Sequence, residues 1–337
     1  MSDLLSSLEN YIRSLNASDV RVVLGQPTAG DEPPMRAEAE ANQAERELAE
    51  DGGISAVDVG EPSIGGFCYF MDGMQRPRGP IYVNTPVPIL YGYVAAAVRK
   101  RGPDKRMSTH SGFYDVDEAL YFSKSIAAKY GLTFDGMRCV DTDDEKVVEH
   151  PLALVQSAYD KISTMRGKLE NKIASRWVRE HASDEWLLVD GSLQADYGDA
   201  NIAGVTKSHA TQYLTFEEQR TVLSLKEGQR SGAFVPVVHG RARPVFSWYL
   251  RMHSSEGKDP YFGLIRVEVP RSPRALQLAD EISRWLLAER APLSLPDSRW
   301  DKMIYPIRDC EMFMKSCAPS HTSLDARLMR LSSLGSK

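Results

Sequence analysis

Apolar positions along this chain follow two periods, and the switch between them divides it into parts. Leu4, Leu5, Leu8, Ile12 and Leu15 recur at helical spacing. A Gly-Pro loop follows, then an Ala/Glu-rich stretch that predicts a second helix ending at Gly52-Gly53. These form an N-terminal helical extension over residues 1–60, ahead of a domain over 61–337. From Gly66 the pattern changes to short apolar runs, "FCYFMDG", "IYVNTPVPILYGYVAAAV" and, after an irregular polar stretch, "LTFDGMRCV". Such runs predict strands of an antiparallel sheet or meander.

Pro151 then opens a long helix, a position where proline fits because the first-turn N–H has no partner to lose. Val155, Ala158, Ile162, Met165, Leu169, Ile173 and Trp177 mark its apolar stripe. "WLLVDGS" and "NIAGVTKSH" read as short strands, "TFEEQRTVLSLKEG" as a helix, and "PVFSWYLRMH" and "FGLIRVEVP" as paired strands joined through the polar loop 254–260. A last pair of helices covers Pro273 to Arg290 and the region after Tyr305-Pro306.

Composition changes this picture little. The 337 residues and 42% hydrophobic content suffice for a real core. No apolar run reaches the roughly 18 residues of a membrane span, and the acidic amphipathic start is unlike a basic signal sequence, so the expected location is cytoplasmic, without a membrane. Net charge is −5, which argues against coating nucleic acid by bulk charge. Charge is segregated, however, with basic residues gathered in "RKRGPDKR" and from Arg241 to Arg274. The cysteines Cys68, Cys139, Cys310 and Cys317 match no common zinc spacing, and Cys68 reads as a buried thiol.

The candidate chemistry lies in two Asp-Gly pairs. Asp190 ends the apolar run "WLLVDGS" and Asp72 ends "FCYFMDGM" in the same way. An ionised carboxylate at the mouth of a buried strand implies a cation, backbone donors or a raised pKa. A turn-forming Asp, bonded to its own backbone, is the alternative. Glu170 lies beside the long helix's apolar stripe, roughly 100° from Leu169 on a 3.6-residue period. Alternatively, it is a solvated residue paired with Arg166. Strand with Asp, further strands, helix with Glu and strand with Asp is the order of an RNase H-like α/β core, a mixed sheet flanked by helices. Such a core gathers oxygen ligands for two divalent metals that stabilise the attacking and leaving oxygens of a phosphodiester.

From Asp72 onward the chain resembles the NurA nuclease family. The resemblance is carried by "MDGM", Glu170 on its helix, "LLVDGSL", "AGVTKSH", the pair "WYLRM" and "LIRVEVP", and "YPIRD". It implies that Asp72, Glu170 and Asp190 are metal ligands and that Lys207 stands near the substrate phosphate. It further implies Mn2+ or Mg2+, single-strand endonuclease and 5′-to-3′ exonuclease activity on DNA, a homodimer, and a hexameric HerA-type ATPase as motor, in repair or antiviral defence. Two departures stand out. The family has Asp-Gly-Ser where this chain has Asp72-Gly73-Met74, and a histidine where "YPIRDCEMF" offers Asp309 or Glu311. Asp309 is taken as the fourth ligand.

Other residues have plainer expectations. Arg99, Lys100 and Arg101, with Lys105 and Arg106, form either a solvated loop or a contact to the DNA backbone that does not read sequence. Glu268 and Arg266 share a strand face and are expected to pair. His209 and His239 read as ordinary polar residues. A catalytically decayed adaptor between motor and DNA is the main alternative function. An actin-like ATPase is a second.

Overall fold

The computed structural model describes residues 4–14, 22–24, 45–144, 148–181, 184–208, 211, 213–238, 241–292 and 300–334. In chain order the first elements are α1 (Leu4–Ser14), β1 (Val22–Leu24), β2 (Glu45–Leu48), β3 (Ala56–Asp58), β4 (Phe67–Val83), β5 (Ile89–Arg101) and β6 (Met107–Phe122). The middle of the chain gives α2 (Lys124–Lys129), β7 (Cys139–Asp141), α3 (Pro151–Glu180), β8 (Trp186–Asp190), β9 (Ile202–Thr206), α4 (Phe216–Leu223), β10 (Gln229–Ser231), β11 (Phe234–Val238) and β12 (Arg241–Ala242). The paired strands β13 (Val245–Arg251) and β14 (Leu264–Pro270) precede α5 (Pro273–Gln277), α6 (Ala279–Glu289), α7 (Tyr305–Cys317) and α8 (His321–Leu334).

Among the described residues the strands form one mixed sheet, whose main path runs β12-β11-β13-β14-β9-β8-β4-β5-β6-β7. At its centre, β4, β5 and β6 are antiparallel neighbours, β8 lies parallel to β4, and β9 lies parallel to β8. With α3 as the crossover from the antiparallel group to β8, this is the RNase H-like order. A parallel neighbour requires a long return connection, which α3 supplies.

Each face of the sheet is covered by an apolar layer. Ile173, Ala174 and Trp177 of α3 pack on Tyr69, Met71, Leu187 and Val189. On the opposite face Ile282, Leu286, Ile307 and Cys310 pack on Phe67, Phe70, Leu188 and Val205. Leu5, Leu8 and Ile12 of α1 join Leu324, Leu328 and Leu331 of α8 over the far half of β4 and β5. No helix among the described residues is long and apolar enough to cross a membrane.

Three elements differ from the sequence expectation. Glu45–Leu48, inside the expected Ala/Glu-rich helix, is a strand paired with β11. Ladder hydrogen bonds to a buried strand outweigh a helix preference of a few tenths of a kcal/mol per residue. Of the rest of that expected helix, the residues before Glu45 lie outside the described residues, and 49–52 form an irregular turn. The polar stretch from Met107 is half of the long hairpin β5–β6, with residues 102–106 as its turn. Polar residues interrupt it, yet Phe113 packs toward α3 on one face and Tyr114 packs against Phe313 on the other. Finally, "LTFDGMRCV" contributes only the three residues of β7.

Candidate functional site

The short strands β8 and β9 end at Asp190 and Thr206, whereas β4 runs on to Val83. On the edge facing β8, β4 is paired as far as Met71, and β1 takes up the same edge at Ile81. Among the described residues no strand covers the backbone between. This notch, roofed by α3 and the loop after β8, forms a cleft of about 650 Å³ whose lining includes Asp72, Glu170, Asp190 and Lys207. Three of the expected metal ligands and the expected phosphate contact are therefore brought together.

Each arrives for a local reason. Asp72 and Asp190 follow matching apolar runs on adjacent parallel strands, so the register that aligns Met71 with Val189 sets the two aspartates side by side. Glu170 comes from α3 and lies directly over Gly73. A Cβ built on Gly73 would overlap the Glu170 carboxylate, so the second residue of the Asp-Gly pair is what lets helix and strand approach. The Gly73 N–H donates to Asp72 Oδ1 at 2.7 Å.

The electrostatics follow from this crowding. Burial, then the Asp190 charge, push the Asp72 carboxyl well above the usual carboxylate range, with Lys207 opposing. Glu170 is raised from 4.5 to about 7, chiefly by burial, with Arg166 opposing and Asp190 adding. Two internal cations stand against the acids. Lys207 Nζ is 2.7 Å from Asp190 Oδ1, and Arg166 Nε is 3.5 Å from Glu170 Oε1. Glu170 is thus both the expected cleft residue and the expected partner of Arg166.

A metal fits this donor set by chemistry, because clustered carboxylate oxygens whose charges burial disfavours are what a hard divalent ion neutralises. In the present side-chain arrangement, no group of three or more His, Cys, Asp or Glu among the described residues is posed to hold an ion. Lys207 and Arg166 hold two of the acids instead. Asp309, the expected fourth ligand, stands apart from the cleft lining and its carboxylate accepts from Arg99 Nε at 2.6 Å. Glu311 pairs with Lys315 at 2.5 Å.

The expected basic DNA contacts are engaged within the protein. Arg99 also donates to Thr109 Oγ1 at 2.8 Å, Lys100 donates to the Tyr69 hydroxyl at 2.8 Å, and Arg101 pairs with Glu289 at 2.5 Å and donates to Phe67 O at 2.7 Å. These residues end β5, beside structure that takes up their charge, and do not form a free loop. Arg106, in the hairpin turn, is exposed. Cys68 is half-buried rather than buried, and it is the Cys310 thiol that is fully enclosed, donating to Phe70 O at 3.2 Å. His209 and His239 lie outside the described residues.

Glu268 pairs with Arg266 at 2.9 Å as expected, and Arg243 joins them from the other side at 2.6 Å. Sequence reading did not single out Gly73, Lys168, Ser192 or Thr206, although the last three line the cleft. For Gly73 a signal was present, since a glycine inside a strand pattern marks a close approach.

No family model and no curated protein matches the chain. Among solved structures it is similar to the crystal structure of the NurA nuclease from Sulfolobus solfataricus, at 14% identity and a TM-score of 0.45, over 81% of this chain and 86% of that one.

Proposed function

We propose that this protein is a divalent-metal-dependent deoxyribonuclease in which Asp72, Glu170 and Asp190 hold Mn2+ or Mg2+. One observation carries the reading. Carboxylates from a strand, a helix and a second strand converge on one cleft, where burial and the neighbouring Asp190 charge favour the neutral forms of Asp72 and Glu170. Such a cluster is costly unless a cation shares it.

When bound, the metal supplies an activated water and stabilises charge on the oxygens of the phosphodiester. The chain's own residues do the rest. Glu170, raised to about 7, is partly protonated at neutral pH in the metal-free protein, so cation uptake releases protons. Lys207 exchanges Asp190 for a phosphate oxygen, where its ammonium acts as a point charge. Arg166 and Lys168 from α3 line the same wall and attract the backbone. None of these groups reads a base edge, so cleavage is independent of sequence.

A HerA-type motor, homodimerisation, endonuclease and 5′-to-3′ exonuclease activities and a cytoplasmic role in DNA end repair or antiviral defence belong to the same proposal. Their support is the order of sequence motifs, together with a chain that carries no GxxxxGK[ST] phosphate loop and so takes any motor from a partner.

The test is cleavage of end-labelled single-stranded DNA in Mn2+ by the native chain and by Asp190→Asn, which keeps shape and removes charge. The expected loss is on the order of a hundredfold or more with folding unchanged. An adaptor is the second reading, favoured by the Lys207–Asp190 pair that holds the site closed. Absence of cleavage by the native chain, even with a HerA-type partner and ATP, would establish it.

A further inference from the structure

Behind the cleft lies a buried charge that does not balance. The Glu268 carboxylate is fully buried, and two guanidinium groups face it, Arg243 at 2.6 Å and Arg266 at 2.9 Å. The side chain of Arg266 is 6% exposed and its guanidinium lies over the Tyr213 ring at 4.8 Å. One positive charge is left over in a place where an unpaired ion is costly.

That charge is directed at the cleft through two hydroxyls. Arg266 stands opposite Thr206 in the β14–β9 register. Its Nη2 donates to Ser192 Oγ at 3.4 Å and to Thr206 Oγ1 at 3.5 Å, and the two hydroxyl oxygens are 3.1 Å apart. Both oxygens accept from the guanidinium, so neither hydroxyl can turn its proton toward it. One proton bridges the pair, and the other is left for a ligand. Ser192 and Thr206 both line the cleft, next to Lys207.

The loop carrying Ser192 is held by the same ions. Leu193 N–H donates to Glu268 at 2.9 Å, and Arg243 donates to Leu193 O at 2.6 Å. A donor fixed in place, with a buried positive charge behind it, suits an anion and disfavours a cation.

We propose that Ser192 and Thr206 form a phosphate subsite, polarised from behind by Arg266, that takes one backbone phosphate of the substrate strand beside the carboxylate cluster. It rests on the nuclease reading for the identity of the substrate, while the anion preference comes from the geometry alone. Arg266 is a positioning residue, because it reaches the ligand only through the hydroxyls.

The experiment uses the full chain in EDTA, where no cleavage occurs. It measures the anisotropy of single-stranded oligonucleotides in which one phosphate at a time is replaced by an uncharged methylphosphonate. The native protein should show a linkage whose neutralisation weakens binding roughly tenfold, as expected for loss of a charge-assisted hydrogen bond. Thr206→Val should lose a similar factor on the unmodified strand and become indifferent to that linkage, while Thr206→Ser should restore it. Should Thr206→Val fail to fold, Ser192→Ala in the loop provides the same comparison. An identical scan for the native chain and a folded variant would overturn the subsite. If DNA does not bind at all, inorganic phosphate separates the two ideas. A rise in melting temperature that depends on Thr206 keeps the subsite and sinks the nuclease reading, and no rise sinks both.

Discussion

At position 73 the chain carries a hydrogen where any other residue has carbon, and the Glu170 carboxylate occupies that space. Gly73→Ala must therefore displace Glu170 from the cleft while leaving the ladder of β4 intact. Misplacing a working group by about an ångström costs roughly a hundredfold in rate, so cleavage in Mn2+ should fall by about that factor. Wild-type activity in a folded Gly73→Ala protein would show that Glu170 takes no part. Glu170 also makes a pH prediction. Its folded pKa, about 7, lies above the ordinary 4.5, so the folded state holds the proton more tightly than the unfolded one. Its contribution to stability is present below pH 4.5 and is lost as pH rises toward 7. Each tenfold gain in proton affinity on folding corresponds to about 1.4 kcal/mol. In EDTA, Glu170→Gln should flatten the fall in melting temperature across that range, and an unchanged slope would remove Glu170 as its source. At this scale the sequence showed the aspartates, because an apolar run ending in Asp-Gly is visible in one line of text. It hid the triad of Arg243, Arg266 and Glu268, because Arg243 reaches the others only once the strands have paired.

The element that departs most from its sequence pattern is the hairpin β5–β6. Its polar half lacks the apolar run that marks a buried strand, since only isolated aromatics, Phe113 on one face and Tyr114 on the other, pack there. Near its turn it is fastened to the end of α3 by a contact between His110 Nε2 and His181 Nε2 at 2.8 Å. His181 Nδ1 lies 3.1 Å from Trp177 O, which fixes the tautomer and leaves its Nε2 as acceptor. The His110 pKa is lowered by burial first, then by His181 and Lys100, with Arg176 adding and Glu180 opposing. A histidine whose folded pKa lies below 6.5 is protonated first in the unfolded chain, so stability falls as pH drops below 6.5. Melting temperature should therefore decline more steeply on acidification in the native protein than in His110→Gln. Equal slopes would show that the pair does not hold the hairpin. The helix α3 was legible from end to end, since its stripe of apolar residues repeats over many turns and Pro151 marks its start. Strand β2 was not, since its preference is local and its partner β11 is far away in the chain.

Across the whole molecule, net charge misleads because the acids and bases are sorted by place. Most of the basic residues near the hairpin are neutralised by neighbours, and the charge that matters is concentrated at the mouth of β8 and β9. The order of strands was legible from the alternation of strand, helix and strand. The outer strands β10 to β12 and their pairing with β2 and β3 were not, since short edge segments leave no periodic trace. Binding of Mn2+ to the folded state alone should raise stability by about 2.7 kcal/mol at a hundred times its dissociation constant. Thermal melting with and without Mn2+ checks this, and Asp190→Asn should abolish most of the rise. A native protein that melts at the same temperature in Mn2+ and in EDTA would count against a Mn2+ site in the cleft.

The three cleft acids belong to segments that meet only when β8 has docked beside β4 and α3 has crossed over them. Distant pairings of that kind form late in folding. A ribosome-bound chain that has emerged as far as α3 holds Asp72 and Glu170 but no Asp190, so its acid cluster is incomplete. On the proposed nuclease reading, assembly of the sheet doubles as a timer, withholding activity from the cell until the chain has been synthesised past β9 and has closed around its own site.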